Sequence, residues 1–262
     1  MIDRFINNIL LEQLRGGELP PRKTPKSYEK ILSQIKLFEM YPRVFAVVIK
    51  DDYLRSRVFL RYQEFYESDS DSFRGQGFKW KDFIKFYKEK TKNEIFTYHE
   101  DWSGYNIPCD SIESCMKLIP DLNFFDLIMY CIIDTIKELV GSDKFYLIGI
   151  DQSTGDDPHL IYHEMAHALW FSDPSYKERM STLIRKMDSG VREKMLQKIS
   201  DSGYGNNVLY DELQAYMSTG LVSNMNRIKG IKPETEKFKE FFDTYTNKFK
   251  AKEIPIDWNL HF

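Results

Sequence analysis

Pro158-His159-Leu160-Ile161-Tyr162-His163-Glu164-Met165-Ala166-His167-Ala168-Leu169-Trp170-Phe171 is the stretch on which the reading of this chain turns. Asp156 and Asp157 offer an acidic cap, Pro158 suits a first helical position, and apolar residues follow at helical spacing. The pattern predicts a helix over 158–171. On such a helix His163 and His167 stand about 40° apart in angle and roughly 6 Å apart in rise, so both imidazoles can reach one metal ion. Glu164 is turned about 100° from His163, which sets its carboxylate beside the ion as a general base and not on it as a ligand. Neutral imidazoles favour Zn²⁺. His159 continues the spacing, but it lies about 12 Å along the axis from His167, so the three histidines cannot share an ion. It reads as a solvent-facing residue near the helix start or as one lining the cleft.

A catalytic zinc ion takes three protein ligands and keeps a fourth position open, so a third donor is expected downstream. The metzincin pattern needs glycine at position 170 and a ligand at 173, where this chain has Trp170 and Asp173. Asp173-Pro174 reads instead as the cap and first residue of another helix. The stronger candidate is Glu212 in Tyr210-Asp211-Glu212-Leu213-Gln214-Ala215-Tyr216, at the start of a helical pattern running to about Met225. A glutamate from a second helix completes a His₂Glu set, and the small Ala215 permits that helix to approach closely. Asp211 reads as a surface carboxylate or as a partner of the ligand histidines.

The segment resembles the zincin peptidases, and within them the glutamate-ligand (gluzincin) type. The span from His167 to Glu212, the intervening Ser202-Gly203-Tyr204-Gly205, the E-x-x-A of Glu212 to Ala215 and Ser218-Thr219 look like the catalytic core of the anthrax lethal factor family. The likeness covers about Pro158 to Asn226. It implies a tyrosine hydroxyl opposite the metal that stabilises the oxyanion, a role that Tyr204 matches and for which Tyr210 is the alternative. Tyr216 stands where that family tends to carry an acidic residue. Zincins also pair an extended substrate with an edge strand beside the metal helix, and Lys144 to Ile150 is the candidate strand, with a central strand or an earlier edge as the alternatives.

The whole chain adds bounds more than signals. Its 262 residues carry 37 basic and 40 acidic side chains for a net charge of −3, and no field selects nucleic acid or a membrane surface. Aromatic residues make up 15%, enough to fill a core. Cys109, Cys115 and Cys131 are too few and too irregular for a disulfide framework or a Cys₄ site. The N-terminal residues show no Sec cleavage pattern, which reads as a cytoplasmic protein or an effector exported without a Sec signal peptide. The most apolar run, 122–133, is too short to span a bilayer and reads as a buried helix.

Along the chain the pattern predicts helices over 1–14, near Tyr28 to Met40, 53–67, 79–92, 122–140 and 232–248. In the last of these Phe238, Phe241, Phe242 and Tyr245 turn inward. Strands are expected at 44–49 and 144–150, a short extended piece at 95–98, and loops at 68–72 and 99–108. Gly75-Gln76-Gly77 reads as a turn, since a phosphate cradle would need more glycines and a Lys-Ser/Thr pair. Together these predict an α+β protein. Residues 1–100 form a mostly helical N-terminal region, and 101–262 form a zincin-like domain with a small mixed sheet, the H-E-x-x-H helix and a second ligand-bearing helix.

The expected activity is hydrolysis of peptide bonds in a protein or peptide substrate by a zinc metalloendopeptidase. His163, His167 and Glu212 are its ligands, Glu164 its base, and Tyr204 or Tyr210 its oxyanion donor. The rival is a catalytically inactive zinc protein acting through protein–protein interaction.

Overall fold

Every residue of the strand Tyr146–Ile150 is buried, which is what its unbroken apolar run requires. A computed structural model describes residues 25–102, 104–141, 144–151, 158–202, 205 and 208–258 of the chain. The helix expected over 1–14, most of the linker after it, the acidic cap at 156–157 and Tyr204 lie outside the described residues, as does the side chain of His159. The protein is α+β, with a mixed five-stranded sheet and a mostly helical N-terminal region.

In chain order the elements are α1 (Pro25–Leu32), β1 (Ile35–Tyr41), β2 (Val44–Ile49), α2 (Asp52–Glu67), α3 (Trp80–Thr91), α4 (Tyr98–Asp101), β3 (Gly104–Pro108), α5 (Cys109–Met116), α6 (Phe124–Val140) and β4 (Tyr146–Ile150). There follow α7 (Pro158–Ser172), α8 (Pro174–Lys186), α9 (Ser189–Asp201), α10 (Leu209–Thr219), α11 (Ile231–Thr246) and β5 (Lys252–Ile254). The chain divides into two compact units. One comprises Met1–Phe38, Ala46–Gln152 and Glu253–Phe262, the other Glu39–Phe45 and Ser153–Lys252. Residues 101–152, grouped by the sequence with the catalytic region, thus pack with the first unit.

The sheet order is β3-β4-β2-β1-β5. β4 is therefore not an edge strand. That place belongs to β3, which pairs with it antiparallel from Gly104 opposite Ile150 to Pro108 opposite Tyr146. The sequence had offered β3 as loop, because its glycine and proline are poor strand formers; at an edge, a proline without an N–H is tolerated. Gly149 of β4 has a steric reason: a Cβ there would meet the Phe59 ring at 2.6 Å, and that ring stacks on Tyr105 of β3 at 5.1 Å between centroids.

The helix expected near Tyr28 to Met40 is a helix only to Leu32. Its second half is strand β1, in which Ile35 and Leu37 are buried and Lys36 is exposed. Glu, Lys, Leu and Met accept helix readily, but the Pro42-Arg43 turn, with Arg43 at φ 69°, lets this segment hydrogen-bond to β2. The extended piece expected at 95–98 is likewise not a strand, and Tyr98 opens the short helix α4. Gly75 ends a turn, as read, and Gly77 lies beyond it: Gly75 has φ +70° and its N–H donates to the Phe65 carbonyl at 2.8 Å, so it is not directed at a ligand.

A buried ion pair ties α2 to α6 in the first unit. Arg61 and Asp126 are each 2% exposed and lie 3.0 Å apart, and Arg61 also donates to the Asp121 carbonyl at 2.9 Å. Asp126 caps its own helix reciprocally with Asn123. Burial pushes its carboxyl up to about 6, against the pull of the Arg61 guanidinium. Replacing Arg61 with Met leaves that carboxylate without its buried counter-ion, and the expected loss is about 3–5 kcal/mol in urea unfolding. A loss below about 1 kcal/mol would show that the pair does not hold α2 to α6.

In the second unit, α7 through α11 surround a core containing Ala166, Leu169, Met180, Met195, Leu213 and Phe238. Asp173 caps α8, accepting from Ser175 N at 2.9 Å and Tyr176 N at 3.2 Å, as the sequence implied. Phe238 and Phe242 of α11 are fully buried, while Phe241 and Tyr245 are half-buried against Tyr176. Among the described residues no helix is long and apolar enough to cross a membrane.

Candidate metal centre

The helix α7 forms as its spacing predicts and carries Glu164, His167 and Ala166 into the interior of its unit, with Glu164 9% and His167 8% exposed. The helix α10 packs on α7 through a face in which Leu213, Gln214 and Ala215 are all fully buried. Ala215 is the small residue that such an approach needs. Its neighbour Gln214 donates to the Ala166 carbonyl at 3.1 Å, which fixes α10 against the middle of the metal-motif helix.

That docking brings Glu212 to the two histidines. The Nε2 atoms of His163 and His167 are 3.2 Å apart, Glu212 Oε1 is 3.6 Å from His167 Nε2, and Glu212 Oε2 is 3.9 Å from His163 Nε2. One donor atom from each residue lies within 4.8 Å of the others, close enough to hold one metal ion. Donors bound at about 2.0–2.1 Å to a tetrahedral ion are themselves roughly 3.3–3.4 Å apart, so this spacing fits the ion. The second ligand helix was legible as a pattern, but that it meets α7 at Glu212 is a tertiary fact.

Hydrogen bonds behind the imidazoles fix their tautomers. His167 Nδ1 donates to the Asp211 carboxylate at 2.9 Å, leaving its Nε2 with a lone pair. Thr219 gives its hydroxyl proton to the Ala215 carbonyl at 2.8 Å, so at 3.3 Å His163 Nδ1 is the donor and Thr219 Oγ1 the acceptor. With both imidazoles neutral, the two Nε2 lone pairs face each other and Glu212. Such a convergence calls for a shared positive charge, either a proton on His167 Nε2 or a metal cation.

Electrostatics points the same way. Burial pushes the His163 imidazole down, with the charge of His167 adding to the effect, so it is held neutral. Burial also opposes charge on His167, but the Asp211 hydrogen bond and the nearby carboxylates of Asp211, Glu212 and Glu164 outweigh it and push that imidazole up. The field that draws positive charge to His167 is the field a metal cation would meet.

Asp211, read from the sequence more readily as a surface carboxylate, thus stands behind His167. Two further residues were not singled out. Gln214 Nε2 also donates to Asp211 Oδ1 at 3.1 Å, and the buried Tyr176 hydroxyl donates to Gln214 Oε1 at 2.9 Å. The usable signal was an amide between Leu213 and Ala215 on an apolar face, because a buried amide must find partners. Thr219 entered the sequence reading only as part of the resemblance.

Of the tyrosines, Tyr210 is 52% exposed and precedes Glu212 by two residues, which turns it about 200° around α10, away from the cluster. Among the described residues Tyr216, one turn beyond Glu212, stands against the site, with its ring 4.8 Å from that of His163. The three cysteines are buried and form no disulfide, and burial pushes each thiol up. No protein-family model, no curated protein and no solved structure matches this chain.

Proposed function

We propose that this protein is a zinc-dependent metalloendopeptidase of the glutamate-ligand type. The observation that carries the reading is the meeting of the His163 and His167 Nε2 atoms with the Glu212 carboxylate, with Glu164 buried on the same helix as the two histidines. Two imidazoles and one carboxylate are the donor set of catalytic zinc with a position left for water or substrate.

When bound, zinc supplies Lewis acidity toward the scissile carbonyl and lowers the pKa of water near neutrality. His163, His167 and Glu212 hold it. Asp211 and Thr219 keep both imidazoles in the tautomer whose Nε2 is a donor to metal. Glu164, about 60° around α7 from His167, takes the proton of the attacking water and returns it to the leaving amine. The Tyr216 ring limits rotation of His163, while the oxyanion donor that the resemblance implies stays with Tyr204.

A peptide-library digestion with the purified protein tests this. Cleavage is expected with zinc, is expected to disappear on chelation, and is expected to return on adding back one equivalent of zinc. Cleavage that persists unchanged in chelator would refute the zinc mechanism.

A further inference from the structure

The first unit contains a cavity of about 370 Å³, none of whose lining residues belongs to the metal centre. We propose that this cavity binds a small organic cation, an alkylammonium group held between aromatic faces and two carboxylates that tyrosine hydroxyls orient. The volume lies at the lower end of the roughly 300–1,000 Å³ of small-molecule sites.

The walls are aromatic. Phe83, Phe86, Tyr87, Tyr98 and Trp102 line the space, and among the buried rings Tyr98 meets Phe83 and Tyr87 edge to face while Phe83 and Tyr87 are tilted at 34°. Ring faces carry a negative quadrupole that attracts a cation and does nothing for an anion.

The charges have the matching sign. Four carboxylates, of Glu64, Glu67, Asp69 and Asp101, line the cavity against the single ammonium of Lys90. Lys90 is already engaged: its Nζ lies 2.5 Å from Asp69 Oδ2 and 5.9 Å from the centre of the Phe86 ring. It shows at the rim the chemistry inferred for the interior. Among the described residues neither Glu64 nor Asp101 forms an ion pair with a lysine, arginine or histidine. Each is instead held by a phenol, Tyr98 donating to Glu64 Oε1 at 2.8 Å and Tyr87 donating to Asp101 Oδ2. A phenol donor fixes a carboxylate without neutralising it.

Glu64 is only 8% exposed, so its charge is poorly served by water. A cation entering the cavity would compensate it, whereas a neutral apolar guest would strip water from it without return. An alkylated ammonium satisfies both parts of the wall, since its methyl or methylene surface meets the rings and its charge meets Glu64 and Asp101.

Choline and its uncharged isostere 3,3-dimethylbutan-1-ol are the probes, titrated calorimetrically into the full chain. Choline is expected to bind at least about tenfold more tightly than the isostere. Glu64→Gln and Asp101→Asn, checked for folding by thermal unfolding, are each expected to weaken choline about fivefold or more. Equal affinity for the two probes, no binding of either, or choline affinity unchanged in both folded variants would overturn the proposal. The comparison of the two probes on the unaltered protein stands whatever the variants do.

Discussion

Peptide cleavage by Glu164→Gln is expected to fall by about 10²–10⁴-fold in kcat/KM while zinc content stays at that of the unaltered protein. At about 1.4 kcal/mol per factor of ten, this corresponds to roughly 3–6 kcal/mol of lost transition-state stabilisation. Glutamine keeps the size and a hydrogen-bond acceptor of glutamate but cannot take a proton from water. Glu164 is 9% exposed on the face of α7 that meets the rest of its unit, so a smaller residue would confound lost chemistry with a packing defect. The expected signature is therefore a drop in kcat with KM and thermal stability nearly unchanged. A variant that binds zinc and cleaves within tenfold of the unaltered protein would remove Glu164 from the mechanism and favour the rival of a zinc protein that acts by binding.

Metal capture is the second large effect. His167→Ala and Glu212→Ala are each expected to take zinc from one ion per chain to a small fraction after dialysis, because each removes one of three donors from a converged set. Asp211→Asn is expected to weaken binding by about 10–100-fold and not abolish it, since it alters only the partner that orients His167. Thermal unfolding gives an independent reading. With zinc at a thousand times its dissociation constant the unaltered protein gains about 4 kcal/mol, which the ligand variants should not show. If Glu212→Ala retains stoichiometric zinc and the same stabilisation, the third donor lies elsewhere and the glutamate-ligand reading fails.

How much of the site was legible follows from how local each signal is. His163, Glu164 and His167 sit within five residues, so helical geometry alone sets their relation, and Asp173-Pro174 announced the cap of α8 for the same reason. Glu212 was inferred from a need for a third donor, and its neighbours were harder to rank. Asp211, Tyr210 and Tyr216 are all polar residues of one short helix. Which of them faces the histidines depends on how α10 is rotated against α7, and Leu213, Gln214 and Ala215 decide that by being buried together. Strand pairing was less legible still. β1 was mistaken for the end of a helix and β3 for a loop, because their pairing partners supply what their own residue preferences do not.

The sequence by itself determined an α+β chain, the helix that carries His163, Glu164 and His167, and the placing of two imidazoles and a carboxylate on one stretch of backbone, all through a periodicity that acts over a single turn. The tertiary structure alone decided that Glu212 completes the cluster, that Asp211 faces His167, that Tyr210 turns away, and that β3 is an edge strand and β4 is not. Those outcomes depend on which faces of distant segments are buried against each other. That choice is made by the packing of the whole core and is not encoded in any one window of the chain.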